Sequence, residues 1–182
     1  MPLWIPHGQL LVPDAPPKAD SRMANFPGLN DGGHTGYHEL RRQAGAWPTT
    51  EATPDGPADM LSTSRDLYAH SYYAYALMAV GCTWSVFAVE AALRIKLGAD
   101  RKTPFGTLVK QAEQQDLLPR PGWDYKQLDA SREFRNRVVH GNQHGVLPPV
   151  VTRNIIGGAN QAVAALFPDQ DSTRPQLPEA RP

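Results

Sequence analysis

The segment Arg132-Glu133-Phe134-Arg135-Asn136-Arg137-Val138-Val139-His140-Gly141 gathers three guanidinium groups, a carboxamide and an imidazole. On a helical wheel at about 100° per residue, Arg135 falls inside the arc of Leu128, Ser131, Val138 and Val139, with Phe134 at its edge. A guanidinium stays protonated and is costly to desolvate alone, so a core-facing Arg135 requires an anion. Two candidates arise. One is Glu90, which interrupts the apolar stripe Val86, Leu93, Leu97; the other is a ligand phosphate, which an Arg fork suits. Asn136 and His140, four residues apart, lie next to each other on a neighbouring face. In the last turn of a helix, the unpaired carbonyls favour a protonated His140, which could donate or accept a proton near neutral pH. A forked cation, an amide and a titratable imidazole are the groups that phosphodiester cleavage without a metal requires. Arg132 and Arg137 add positive charge, and His144 lies close enough to assist His140; these three are candidate substrate-binding residues.

The elements that would position this segment read as helices, with no convincing strand. Asp124 as N-cap, Gln127 at N3 and Trp123 packing on Leu128 predict a helix from 124 to about 140, with Gly141 available for the left-handed position after it. Thr103 as N-cap with Pro104 at N1 opens an earlier helix whose stripe is Phe105, Leu108, Val109 and Ala112, ending before Pro119. Ser62 or Ser64 can cap an element running to Gly98, or two helices broken near Gly81. From Ser71 to Val89 there is no charged residue, close to the roughly 20 apolar residues of a membrane span. Three Tyr, two Ser, a Thr and a Gly dilute that run, and no basic cluster flanks it, so it reads as a core helix. A last helix follows Pro148-Pro149, with Val151, Ile155, Ala159, Ala162 and Leu166 on one face; Gly157-Gly158 weaken it but permit close approach of another helix.

Composition sets the borders. Of 18 prolines in 182 residues, nine fall within 1–58 and six within 148–182. Residues 1–60 therefore read as an irregular arm whose apolar spots, among them Trp4, Phe26 and Trp47, could dock on the body or on a partner subunit. Residues 61–167 read as one helical domain, and 168–182 as a disordered polar tail. Lys plus Arg equal Asp plus Glu at 18 each, which argues against a uniformly basic nucleic-acid coat. The balance conceals a local surplus, with 12 basic against eight acidic residues in 61–167. A single Cys82 forms no internal disulfide, and MPLWIPHGQLLVP does not read as a secretory signal, so the cytoplasm is the expected compartment.

The run Arg135-Asn136-Arg137-Val138-Val139-His140 resembles the R-x4-H motif of the HEPN superfamily (higher eukaryotes and prokaryotes nucleotide-binding). The long helix with AVEAALRIKLG, the FGTLVKQAEQQDLL helix and the final helix also look like HEPN bundles, so the resemblance spans roughly 62–167. It implies an all-α, antiparallel bundle of four to five helices and a homodimer formed through the helix bearing Arg135–His140. It further implies a metal-independent endoribonuclease with no cofactor, no metal and no membrane partner, working in toxin–antitoxin or phage-defence systems with a cognate antitoxin or defence-system partner. The alternative within the family is a silent nucleotide-binding or protein-interaction module. Carried over, Arg135 stabilises the transition state, and His140 polarises the attacking 2′-hydroxyl of RNA or protonates the leaving 5′-oxygen, leaving a 2′,3′-cyclic phosphate. Asn136 orients His140 or the phosphate. RNA fits because it carries its own nucleophile. Where toxin members carry a Tyr two residues after the His, this chain has Asn142, so regulation through such a Tyr is not carried over.

Other groups have plainer readings. Arg135 paired with Glu90, and His140 capping its helix, would serve an inactive bundle. His34 and His38 have the i, i+4 spacing of metal ligands, but Gly32, Gly33 and Gly36 oppose a helix there, so a solvated loop is expected. Tyr72, Tyr73, Tyr75 and Trp84 could stack bases, although packing between helices is the simpler use, and Cys82 reads as a small core residue.

Overall fold

A computed structural model describes residues 18–26, 36–118, 133, 136 and 147–169, and every regular element among them is helical. A 3-10 turn, Ser21–Asn25, precedes α1 (Tyr37–Gly45), α2 (Asp55–His70), α3 (Leu77–Leu97), α4 (Phe105–Gln114) and α5 (Pro149–Leu166). Helix α3 is the hub. It packs on α2, α4 and α5, while α2 also touches α1 and α5. By length and composition α3 could cross a membrane, yet more than half of its most apolar stretch is buried inside the bundle. Val86, Val89, Ala92 and Leu93 are fully enclosed with Leu108, Val163 and Leu166. Each such Val or Leu is worth about 2 kcal/mol of transfer free energy.

The chain breaks between α2 and α3 at residues 71–76, not near Gly81. Gly81 lies inside α3, where an added Cβ would stand 3.3 Å from the Ser64 carbonyl oxygen and 3.3 Å from Ile156. Its role is therefore close helix contact. Neither Ser62 nor Ser64 caps a helix, because α2 already starts at Asp55; Ser64 Oγ instead donates to the Gly81 carbonyl at 2.8 Å. Backbone groups freed at the break find partners on the N-terminal segment. Asp20 N–H donates to the Tyr72 carbonyl, and the Asp20 carboxylate accepts from Tyr75 N–H, both at 2.8 Å.

Helix α1 lies within the span expected to be irregular. Leu40, Gln43 and Ala44 are its buried face, too short a pattern to stand out between glycines and prolines, and tertiary contact with α2 supplies what its own length does not. Two of the apolar spots dock: Phe26 stacks on Tyr75 with ring centroids 5.7 Å apart, and Trp47 packs on Tyr68 at 5.1 Å. Trp4 lies outside the described residues.

The buried stripe of α4 is the expected one, although its N-cap is Pro104, which offers no side-chain acceptor. Gly98, with φ +60°, ends α3 as expected. Helix α5 buries Ala159, Ala162 and Leu166 as expected, but in its first two turns Val151 is exposed and Ile155 half-buried, while Thr152 and Ile156 point inward. Thr152 escapes an apolar pattern, but its hydroxyl is satisfied by the Pro148 carbonyl at 3.3 Å and by Met78 Sδ at 3.6 Å. Gly157 admits a side chain rather than a helix, since a Cβ there would lie 2.8 Å from Trp47 Nε1. At the start of the expected tail, Asp169 accepts a hydrogen bond from Ala52 N–H at 3.2 Å. The expected helix 124–140 lies outside the described residues except for Glu133 and Asn136, both with helical backbone.

Overpacking against Trp47 should outweigh the helix-propensity gain in Gly157→Ala, giving a net loss of about 1 kcal/mol in urea unfolding. Gly56→Ala in α2, with nothing within 4 Å of the new Cβ, should gain about 0.5 kcal/mol. Arg22, hydrogen-bonded to Asp20 at 2.7 and 2.9 Å, and the Tyr75 N–H hold the Asp20 carboxyl well below the usual carboxylate range. A depressed folded value means the contribution is complete above the unfolded pKa of about 4 and is lost as pH falls below it. Hydrogen-exchange protection of the Tyr75 amide should accordingly drop on acidification below about pH 4, and this dependence should vanish in Asp20→Asn.

Candidate functional site

Of the residues expected to form the catalytic segment, Asn136 is half-buried on helical backbone and Glu133, three positions earlier, is exposed. Arg132, Arg135, Arg137, His140 and His144 lie outside the described residues. Glu90 is half-buried and accepts from Arg94 Nη2 at 2.9 Å, an i, i+4 pair along α3. The same Arg94 nitrogen donates to the Thr103 carbonyl at 3.1 Å, so the pair ties the end of α3 to the start of α4. Glu90 thus has a cation of its own helix beside it.

The aromatic residues weighed as base stackers are chiefly structural. Tyr75 is buried, lies under the Arg22 guanidinium at 5.0 Å, and donates its hydroxyl to the Leu147 carbonyl. Tyr72 and Tyr73 meet edge to face at 5.0 Å, while Trp84 is exposed and nearly perpendicular to Phe87. Cys82 is fully buried, and burial pushes its thiol up to about 12, which keeps it protonated and unreactive. His38 is exposed in the first turn of α1, contrary to the loop expected there; Gly36 serves as N-cap. His34 lies outside the described residues. Among the described residues no three His, Cys, Asp or Glu side chains gather as a metal would need.

A polar centre that the sequence reading passed over lies between α2, α5 and the loop after α1. Arg65 follows the buried Leu61 and Ser64 and precedes the buried Tyr68, so the register of α2 carries it toward the interior. Its Nε donates to Asn160 Oδ1 at 2.9 Å, a bond that Nη2 shares, and Nη2 also reaches the Trp47 and Pro48 carbonyls at 3.0 Å each. Asn160 is fully buried and donates Nδ2 to the Ile156 carbonyl at 2.8 Å, which fixes which way its amide points. Burial lowers the Arg65 pKa from the ordinary arginine value, yet a guanidinium remains charged. Beside it opens a cleft of about 200 Å³, lined by Thr49, Thr50, Thr53 and Ser62 as well as Arg65 and Asn160.

The signal for this centre was present in the sequence. The reasoning that makes a core-facing Arg135 demand a partner applies to Arg65, and Asn160 stands among the apolar residues Ile156, Ala159 and Val163 of α5. Removing the fully buried Asn160 amide in Asn160→Ala should cost about 2 kcal/mol in denaturant unfolding, because the half-buried Arg65 Nε–H loses its acceptor and the Ile156 carbonyl loses a donor. In a double-mutant cycle with Arg65→Ala the two losses should overlap by at least about 1 kcal/mol. No model of a protein family, no curated protein and no solved structure matches this chain.

Proposed function

We propose that this chain is a HEPN-like, metal-independent endoribonuclease that acts as a homodimer. The observation that carries the reading is the Arg135-Asn136-x3-His140 spacing in a chain whose described residues form helices only. The attachment points of the segment support it. Leu118, where the described chain leaves α4, is buried in the main core, and Leu147, where it resumes before α5, has its carbonyl held by the buried Tyr75. Both ends of the stretch that bears the motif are thus anchored on the bundle.

In this reading Arg135 binds the scissile phosphate and offsets the charge that builds on its oxygens. The 2′-hydroxyl of the substrate attacks the adjacent phosphorus, the bond to the 5′-oxygen breaks, and the proton lost by one oxygen is matched by the proton gained by the other. His140 serves as the proton carrier, because an imidazole is the side chain that exchanges a proton near neutral pH. Asn136, on the adjoining turn, orients the imidazole or the phosphate. Arg132, Arg137 and His144 bind the flanking backbone, and each added phosphate contact makes binding more sensitive to salt.

Wild-type protein should cleave single-stranded RNA in the presence of EDTA, and His140→Ala and Arg135→Ala should each slow cleavage by about 100-fold or more. A substrate with a 2′-deoxy sugar at the scissile position should resist. Equal residual activity in wild type and both variants defeats the proposal, and nucleotide binding without cleavage would put a silent module in its place.

A further inference from the structure

Three arginines among the described residues pair with carboxylates: Arg22 with Asp20, Arg42 with Glu39, and Arg94 with Glu90. Arg65 is held in another way. It is half-buried, its hydrogen-bond partners are an amide and two backbone carbonyls, and among the described residues no carboxylate lies within ion-pair distance. Its Nε and Nη2 are occupied, whereas Nη1 donates to no described residue. Neutral acceptors orient the guanidinium without cancelling its charge.

The cleft beside it contains no acidic lining residue; four hydroxyl side chains line it, facing an apolar wall that includes Leu61 and Val163. Thr49 and Ser62 border it, and Thr50 and Thr53 share one hydrogen bond at 2.7 Å, so one of their two hydroxyl hydrogens is left over whichever is the donor. A planar carboxylate is best gripped by two parallel N–H groups, but the Nε and Nη2 edge is already taken by Asn160. What remains is a single charged nitrogen and several hydroxyl donors, a set that suits the spread oxygens of a tetrahedral anion. The volume of about 200 Å³ lies below the roughly 300 Å³ at which pockets begin to enclose drug-sized molecules. A phosphate with a few further atoms fits inside; a whole nucleotide would leave its base outside.

We propose that the cleft between the loop after α1, α2 and α5 binds a phosphate group, free or at the end of a small ester. Arg65 supplies the charge, and Thr49, the Thr50–Thr53 pair and Ser62 supply the directional bonds. Bound there, the anion would tie the 47–53 loop to α2 and α5, two elements this loop already touches through Arg65. The site uses none of the residues of the ribonuclease reading, so each proposal stands or falls alone.

Titration calorimetry of the full chain with inorganic phosphate, glycerol 3-phosphate and uridine monophosphate, each against chloride at matched ionic strength, tests it. Saturable binding with Kd on the order of 1 mM or tighter is expected. Arg65→Met should abolish it, and the double variant Thr49→Val, Ser62→Ala, which alters none of the hydrogen bonds described above, should weaken it at least about tenfold, the effect of losing roughly 1.4 kcal/mol. Tighter binding of glycerol 3-phosphate than of inorganic phosphate identifies an ester as the ligand, and the reverse order identifies the free anion. A response no greater than that of chloride, or binding unchanged in the double variant, overturns the proposal.

Discussion

Burial of α3 is the constraint around which the other helices are arranged. Its 21 residues include no charge before Glu90, and water cannot solvate such a surface cheaply, so α2, α4 and α5 close over it from three directions. The closeness of that packing depends on small residues and on satisfied polar atoms. Gly81 lets α2 and α5 approach α3, and the Ser64 hydroxyl, buried by that approach, is satisfied by the Gly81 carbonyl itself. A polar atom trapped there without a partner would cost about as much as a buried methylene or two contributes.

Polar residues then decide where the peripheral pieces attach. Asp20 covers the backbone groups exposed by the break between α2 and α3, and its carboxylate holds Arg22 over the Tyr75 ring. Arg65 does the same on the other flank by binding the carbonyls of Trp47 and Pro48, which lets Trp47 lie over Gly157 and against Tyr68. Tyr68, fully buried, passes its hydroxyl to Gln43, and Gln43 in turn donates to Glu39, so α1 is fastened to α2 by a chain of hydrogen bonds. These attachments bring residues from the Pro- and Gly-rich region into the fold.

Periodicity made α4 legible, since Phe105, Leu108, Val109 and Ala112 declare a single buried face, and α3 ends at Gly98 as expected, with that glycine in the left-handed form. The break at 71–76 is hidden in the sequence because nothing local in SYYAYA forbids a helix; the partner that satisfies its backbone, Asp20, is remote in the chain. The C-terminal half of the α5 face, Ala159, Ala162 and Leu166, is legible, whereas Thr152 and Asn160 escape an apolar pattern because they are polar by type yet buried with their hydrogen bonds met. Helix α1 was missed for lack of length. The Arg135–His140 segment is read from residue type and spacing, which name the chemistry but not the distances between the groups, whereas the Arg65 cleft emerges only when α2 and α5 are brought together.

Two guanidinium groups carry the two proposals, Arg135 through its spacing from His140 and Arg65 through its place beside a cleft, and the reaction proposed for the first would leave a chemical signature. That signature is the end group produced on an oligoribonucleotide, read by mass spectrometry after incubation with the wild-type protein. Attack by the internal 2′-hydroxyl predicts a 2′,3′-cyclic phosphate on one fragment and a 5′-hydroxyl on the other; fragments bearing a 5′-phosphate and a 3′-hydroxyl would contradict it.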